Sequence, residues 1–164
     1  MTRVVCPGSF DPVTMGHLDI ITRASVLFDE VIALVIVNPD KEPSFTAQER
    51  VNMLNKSTAH LENVSVDHHR GLLVDYIRDK GATAIVKGLR AMSDFEYEFQ
   101  MALTNKKLLP QAETIFLTTT SEHLYLNSSL VKQVAGFGGD ISAFVPPQVL
   151  SDIQLRLCDK YIKL

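Results

Sequence analysis

Short β-branched apolar runs alternate along this chain with longer stretches in which apolar residues recur at helical spacing, and this alternation is what most constrains the fold. Several of the short runs are almost entirely apolar, as strands buried on both faces of a parallel sheet are. Five runs have this character: Val4–Cys6, Val31–Val37, Val64–Val66, Ala84–Lys87 and Thr114–Leu117. Alternating strands and helices predict an α/β fold, a Rossmann-like, doubly wound, five-stranded parallel sheet with helices on both faces.

The stretches between the strands carry helix start and stop signals. Thr46–Glu49 and Ser93–Glu96 match the capping box, and the first of these predicts a helix that runs to about Thr58. In the helix that follows Ser93, we expect the apolar row Phe95, Phe99, Ala102 and Leu103 to face the core or a subunit interface. Other helices are predicted after His17, over 74–80 and 128–135 before glycines, and after Pro146-Pro147.

The composition is that of an ordinary globular protein. Of the 164 residues, 46% are hydrophobic and 21% are charged, and no apolar run approaches the length of a membrane span. We expect a single domain over residues 1–164 that is cytoplasmic and does not bind membranes. The net charge of −3 gives no basic face for nucleic acid. Cys6 and Cys158 are too few and too far apart to predict a disulfide or a metal site, and we expect no metal ligands in the protein.

Ligands of doubly wound sheets bind beyond the carboxyl ends of the strands, so the residues after each strand are the candidates for a site. The first strand leads into the loop 7–17, in which we expect Thr14 to cap a helix and His17 to lie in its first turn. Free N–H groups at a helix N-terminus favour phosphate, although a plain strand-to-helix turn is the alternative interpretation. The dinucleotide and P-loop glycine motifs do not occur, which disfavours dehydrogenases and P-loop enzymes.

Cations and hydroxyl groups follow the later strands. Residues 38–41 end in Lys41, residues 87–90 place Lys87 and Arg90 around a glycine, and hydroxyl groups occur in 118–121 and 127–129. Each group also has an ordinary explanation, because loop lysines are usually solvated and hydroxyl groups often cap helices. Their convergence on one edge of the sheet indicates a site for anionic ligands, in which arginine can bind phosphate through two hydrogen bonds.

These motifs together resemble the bacterial phosphopantetheine adenylyltransferase family, which belongs to the nucleotidyltransferase superfamily. The superfamily signature is Thr14-Met15-Gly16-His17, a pattern also found in class I tRNA synthetases. Gly88-Leu89-Arg90 followed by Asp94-Phe95-Glu96-Tyr97-Glu98 is typical of the narrower family. The resemblance extends over nearly the whole chain, through Phe45-Thr46, Glu49-Arg50 and Ser128-Ser129-Leu130-Val131-Lys132.

The resemblance implies transfer of the adenylyl group of ATP to 4′-phosphopantetheine, with Mg²⁺, to give dephospho-coenzyme A and pyrophosphate. It also implies a homohexamer. The implied ATP contacts are Ser9, Phe10, His17, Gly88, Leu89, Arg90, Glu98, His123, Leu124, Tyr125, Leu126, Asn127, Ser128 and Ser129. The implied pantetheine contacts are Ser9, Lys41, Leu73 and Lys87. Asn127 stands where the family usually has serine, and we expect it still to cap the following helix.

The implied catalytic residues are His17, Lys41 and Arg90. A phosphate monoester is mostly dianionic at neutral pH, so the reaction needs no general base and depends on positioning and electrostatics. His17 would donate a hydrogen bond in the transition state, while the cations would hold the phosphates. Two other hypotheses stay open, since fold alone does not prove function. One is a small nucleotidyltransferase with another acceptor, and the other is a non-catalytic nucleotide-binding module.

Overall fold

The computed structural model describes residues 1–40 and 42–158, except for the side chains of Met92 and Ser93. Lys41, a predicted catalytic and substrate-binding residue, lies outside the described residues. Five strands alternate with helices: β1 (Arg3–Gly8), β2 (Glu30–Ile36), β3 (Val64–His69), β4 (Ala84–Leu89) and β5 (Glu113–Thr118). The α-helices are α1 (Met15–Leu27), α2 (Ala47–Thr58), α3 (Leu73–Lys80), α4 (Met92–Leu108), α5 (Ser128–Gly136) and α6 (Leu150–Leu157).

The strands form one parallel sheet in the order β3-β2-β1-β4-β5, which confirms the predicted fold. β3 and β4 extend to His69 and Leu89, farther than their apolar runs predicted. The reason is that backbone pairing continues past the apolar residues. His68 and His69 pair with Val35 and Ile36 of β2, so these two histidines form the end of β3.

Alternate residues of the sheet pack into two separate cores. Val4, Val31 and Val86 face the larger core together with the buried residues of α1, α2, α5 and α6. Val5, Ile32, Leu34 and Ile85 face the smaller core, with Tyr76 and Ile77 of α3. Successive side chains of a strand point to opposite faces, so one nearly continuous apolar run supplies both cores.

The order of the strands reverses between β1 and β4, and these two strands separate there. β1 pairs with β2 as far as Gly8, and β4 pairs with β5 as far as Leu89. Between β1 and β4, however, pairing is limited to Val4 with Ala84 and Val5 with Ile85. The carboxyl halves of the two strands therefore diverge and open a crevice at the place where such folds bind ligands.

Several helix ends follow the sequence signals. Thr46 and Glu49 form the predicted capping box of α2, and Gly81 ends α3 in the left-handed conformation at φ 62°. The capping box predicted at Ser93 is wrong, because α4 begins two residues earlier than that box requires, with Ala91 in the cap position. No helix in the described ranges is long and apolar enough to cross a membrane.

The apolar row of α4 faces the core only in part. Phe95 packs edge-on against Phe116 of β5, with 6.1 Å between ring centroids. Phe99 and Leu103 are 45% and 56% exposed. Ala102 lines the cleft, and a subunit interface stays a prediction for Phe99 and Leu103.

Candidate active site

The crevice between β1 and β4 widens into a cleft with a volume of about 1280 Å³. Its floor is formed by the diverging strand ends, including Cys6, Val86 and Lys87. The first turns of α1 and α5 border it, as Gly16 and Ser128 show. Two helix N-termini thus contribute N–H groups and positive potential to one cavity.

The loop after β1 has a strained shape that its own residues explain. Phe10 has a positive φ of 49° although it is not glycine, and its side chain is only 4% exposed. A Cβ on Gly8 would lie 3.1 Å from the Phe10 ring, so glycine at position 8 makes room for that ring. The ring in turn packs edge-on against His17, with 5.0 Å between centroids. Buried backbone strain of this kind clusters at functional sites.

His17 closes a capping box at the start of α1. Thr14 is the N-cap, as predicted, and its Oγ1 accepts a hydrogen bond from the His17 N–H at 3.3 Å. In return, the Thr14 N–H donates to Nδ1 of His17 at 3.0 Å. Because a backbone N–H can only donate, Nδ1 must accept, and the neutral ring carries its proton on Nε2. Within the described residues Nε2–H has no protein partner, so His17 offers a hydrogen-bond donor of defined tautomer.

The surroundings also keep His17 uncharged. Burial in the cleft lowers the pKa of His17 to about 4, and the positive charges of Arg90 and Lys87 act in the same direction. At neutral pH the ring is therefore neutral. The sequence predicted a hydrogen-bond donor at this position, and the geometry of Nδ1 adds the physical reason why the donor is Nε2.

Arg90 follows β4 and is aligned by three acceptors. Its Nε and one terminal nitrogen donate to the two carboxylate oxygens of Asp94, at 3.0 and 3.2 Å. The other terminal nitrogen donates to the Leu126 carbonyl at 3.0 Å. Arg90 thereby joins the end of β4 to the segment before α5. Its planar guanidinium is held in one orientation at the cleft wall.

Lys87 is placed at the cleft floor by an ion pair. Its Nζ lies 3.2 Å from Oε2 of Glu98, one turn into α4 from Asp94. Both side chains are mostly buried, at 25% and 19% exposure. Cys6 on the neighbouring strand is buried, and burial raises the pKa of its thiol to about 12. Because this thiol stays protonated, it carries no charge, and the charge at this part of the cleft floor comes from Lys87.

The start of α5 is bound to the loop after β1. Asn127 caps the helix as expected, with Oδ1 accepting from the Leu130 N–H at 2.8 Å. Ser128 Oγ donates to the Pro12 carbonyl at 2.7 Å. One turn later, Nζ of Lys132 lies 3.1 Å from Oδ2 of Asp11. The last two contacts join residues more than 110 positions apart, and they bring the loop after β1 next to the start of α5.

The cleft contains most of the residues that the sequence nominated. Ser9, Phe10, His17, Leu73, Lys87, Gly88, Arg90, Glu98, Leu126, Asn127, Ser128 and Ser129 line it. Leu89, His123, Leu124 and Tyr125 lie outside this lining, and their contacts with ATP stay predictions. Lys132, Asp94 and Arg50 also line the cleft but were not nominated individually. The motifs that contain them were visible in the sequence, whereas the distant partners of Lys132 and Arg50 were not.

Comparisons with known proteins agree with this geometry. Residues 5–134 match the model of the cytidylyltransferase-like family. The phosphopantetheine adenylyltransferase of Heliobacterium modesticaldum is 54% identical over 161 residues, which cover 98% of this chain and 94% of the relative. That of Alkaliphilus metalliredigens is 58% identical over 146 residues, covering 89% and 93%.

A solved structure supports the fold independently. A putative nicotinate-nucleotide adenylyltransferase from Vibrio parahaemolyticus superposes with a TM-score of 0.70 over 94% of this chain and 93% of that one, at 18% identity. Such a low identity bears on the fold alone, whereas identities above 50% over nearly full length bear on the family. The chain therefore belongs to the phosphopantetheine adenylyltransferase family, within the cytidylyltransferase-like proteins.

Proposed function

We propose that this protein transfers the adenylyl group of ATP to 4′-phosphopantetheine and releases dephospho-coenzyme A and pyrophosphate. The observation that carries the proposal is the neutral Nε2–H donor of His17, held by its capping box in a cleft that also contains Lys87, Arg90 and Lys132. Three cations and two helix N-termini suit two polyanionic substrates. Membership of the family identifies the acceptor.

The proposed reaction is an in-line displacement at the α-phosphorus. A phosphate oxygen of 4′-phosphopantetheine forms the new P–O bond, and the bond to the bridging oxygen of pyrophosphate breaks. The nucleophile is already dianionic, so the neutral His17 is not needed as a base. Its Nε2–H would donate to an α-phosphoryl oxygen, while Arg90 holds the triphosphate and Lys87 holds the attacking phosphate. Lys41 remains a proposed second ligand of that phosphate.

Two glycines of the cleft have different explanations. Packing within the protein explains one of them, whereas close approach of a ligand would explain the other. A Cβ on Gly88 would lie 2.8 Å from Cγ1 of Ile20, so the packing of β4 against α1 explains this glycine. A Cβ on Gly16 would have no contact closer than 3.6 Å. Packing therefore does not require Gly16, but close approach of a substrate to the first turn of α1 would.

We propose that Mg²⁺ enters with ATP as part of the substrate. Asp11, Asp94 and Glu98 each pair with a cation of the cleft. The described residues contain no group of three side chains suited to hold a metal. This donor set does not form a resident metal site, whereas Mg²⁺ is commonly held by phosphate oxygens and water. When bound to ATP, the ion neutralises charge on the departing pyrophosphate.

Pyrophosphate release from MgATP tests the proposed acceptor. We expect turnover with 4′-phosphopantetheine and none with pantetheine, the matched control that lacks the nucleophilic phosphate. Nicotinate mononucleotide, the acceptor suggested by the name of the Vibrio protein, should also be inactive. Turnover with that acceptor alone would favour the other-nucleotidyltransferase hypothesis, and ATP binding without turnover on any acceptor would favour a non-catalytic module.

We further propose a homohexamer in the cytoplasm. Support for assembly comes from α4, on which Tyr97, Phe99, Met101, Leu103 and Leu108 are between 40% and 64% exposed. Tyr97, Met101 and Leu108 line the cleft, whereas Phe99 and Leu103 lie on the opposite side of α4, and an exposed apolar pair there is typical of a subunit interface. Sedimentation equilibrium measures the assembly mass directly, and a monomer at micromolar concentration would contradict the proposal. The cytoplasmic location stays a prediction.

A further inference from the structure

Residues 42–46, here called the strap, form the last part of the connection from β2 to α2 and lie along one edge of the cleft, which Glu42 and Pro43 line. The strap is bound on both sides by charged side chains that are distant in sequence. We propose that Arg156, on α6 outside the cleft, is a positioning residue that holds the strap in place for substrate binding. The proposal rests on the proposed function, since its effect is measured in that reaction.

On the cleft side, the strap is bound by Asp11. Its two carboxylate oxygens accept the N–H groups of Ser44 at 3.0 Å and of Phe45 at 2.9 Å. Oδ2 of Asp11 also meets Lys132, which lines the cleft. Asp11 is only 7% exposed, so each of these hydrogen bonds is made in a largely dry environment where a loss is costly. The position of the strap and that of Lys132 are therefore coupled through one carboxylate.

On the outer side, the strap is bound by Arg156. One terminal nitrogen donates to the Ser44 carbonyl at 2.9 Å, and the other donates to the carboxylate of Glu49 in the first turn of α2. The guanidinium also lies over the Phe45 ring, 5.4 Å from its centroid. Ser44 and Phe45 are thus held between an anion that binds their N–H groups and a cation that binds a carbonyl and a ring.

A second ion pair between the same two helices lacks these contacts. Lys56 of α2 lies 2.6 Å from Asp152 of α6, and these side chains are 53% and 42% exposed. The Arg156 and Glu49 side chains have similar exposures of 44% and 38%. Both pairs join α2 to α6, but only Arg156 also binds the strap. The Lys56 pair is therefore a matched control for loss of helix docking alone.

The experiment compares Arg156→Met with Lys56→Met in the full-length protein, through steady-state kinetics and thermal unfolding. Both variants should lower the unfolding temperature by a small amount, because both pairs are largely solvated, and Arg156→Met should do so somewhat more because it also loses the Ser44 and Phe45 contacts. Only Arg156→Met should raise the KM for 4′-phosphopantetheine, by about fivefold, with kcat changed less than about twofold. Arg156→Lys should restore part of the affinity, since one donor can still reach the Ser44 carbonyl.

A double-mutant cycle with Asp11→Asn tests the route of the effect. If the strap transmits the influence of Arg156, the two substitutions should be less than additive in their effect on KM. Equal KM values for the Arg156→Met and Lys56→Met variants would overturn the inference about Arg156. The proposed function would be unaffected by that result as long as the wild-type protein turns over. Absence of wild-type turnover would instead overturn the proposed function. Full additivity with Asp11→Asn would also overturn the route through the strap.

Discussion

Two of the helices that begin beside the crevice, α1 and α4, orient their functional side chains in opposite ways. At α1, Thr14 and His17 cap each other across three residues, and the same hydrogen bonds set the tautomer of His17. At α4, Ala91 occupies the cap position and no side chain caps the helix. Asp94 in its first turn aligns Arg90, which also reaches the Leu126 carbonyl across 36 residues.

The difference shows two sources of preorganisation in one cleft. His17 is oriented by a local motif that forms whenever α1 forms, because both partners lie in the first turn. Arg90 is oriented only when β4, α4 and the segment before α5 are all in place. We therefore expect substitutions at His17 to act on the chemical step, and substitutions around Arg90 to act through alignment of the triphosphate.

The largest expected effect is that of His17→Ala. Loss of one preorganised donor to the transition state should cost about 3 kcal/mol, which is roughly a hundredfold in kcat, with little change in the KM for ATP. Stopped-flow or steady-state pyrophosphate release measures both constants. His60→Ala, at an exposed histidine just after α2, is the control and should behave as the wild type. Full turnover by the His17→Ala variant would refute the assigned role.

Asp94→Asn should have a smaller effect, of about tenfold in kcat/KM for ATP, because Arg90 loses the charged partner that orients it. The matched control is Asp75→Asn, which breaks the exposed pair of Asp75 with Arg78 on α3 and should leave kinetics unchanged. A lower KM for ATP in the Asp94→Asn variant would contradict positioning, since it would mean that Asp94 only competes with the triphosphate for Arg90.

The smallest effect is expected from pH. The pKa of His17 is lowered to about 4 by burial and by Arg90 and Lys87, so the folded protein keeps the ring neutral at pH values where an unfolded chain would protonate it. Below about pH 6.5 the unfolded state therefore binds more protons, and this group's contribution to the free energy of unfolding falls as the pH falls towards 4. Above about pH 7 the contribution is constant.

NMR titration of the imidazole in the ligand-free protein checks this directly. The His17 resonance, assigned by its loss in the His17→Gln variant, should not shift between pH 8 and about pH 5. A midpoint near the ordinary histidine value would show that His17 is charged for part of the physiological range, and would reopen a role as an acid or base.

Much of the fold could be predicted because its signals are local. The apolar runs identified all five strands, and Thr14, Thr46 and Gly81 marked helix ends through hydrogen bonds or backbone angles within a few residues. The capping box predicted at Ser93 is wrong although its local pattern fits. The backbone of α4 begins earlier than this pattern indicates, and Asp94 in its first turn binds Arg90.

The orientation of α4 could not be read from its sequence either. An apolar row at helical spacing indicates a buried stripe, yet it does not tell whether the covering surface belongs to the same chain. Phe95 finds Phe116 of β5, while Leu103 stays exposed on the isolated chain. The periodicity indicates that α4 has an apolar face that must be covered. Only the arrangement of the sheet shows how much of that face the chain itself covers.

The sequence by itself determined the strand and helix order, the sheet type, the family and a set of candidate residues, most of which line the cleft. Tertiary structure decided where β1 and β4 part, which cation each carboxylate meets, and how Arg156 and Asp11 hold the strap between them. The physical reason is the range of the interactions. Propensity, capping and apolar periodicity act within a few residues, whereas an ion pair or a carbonyl contact between residues a hundred positions apart exists only after the helices have packed on the sheet.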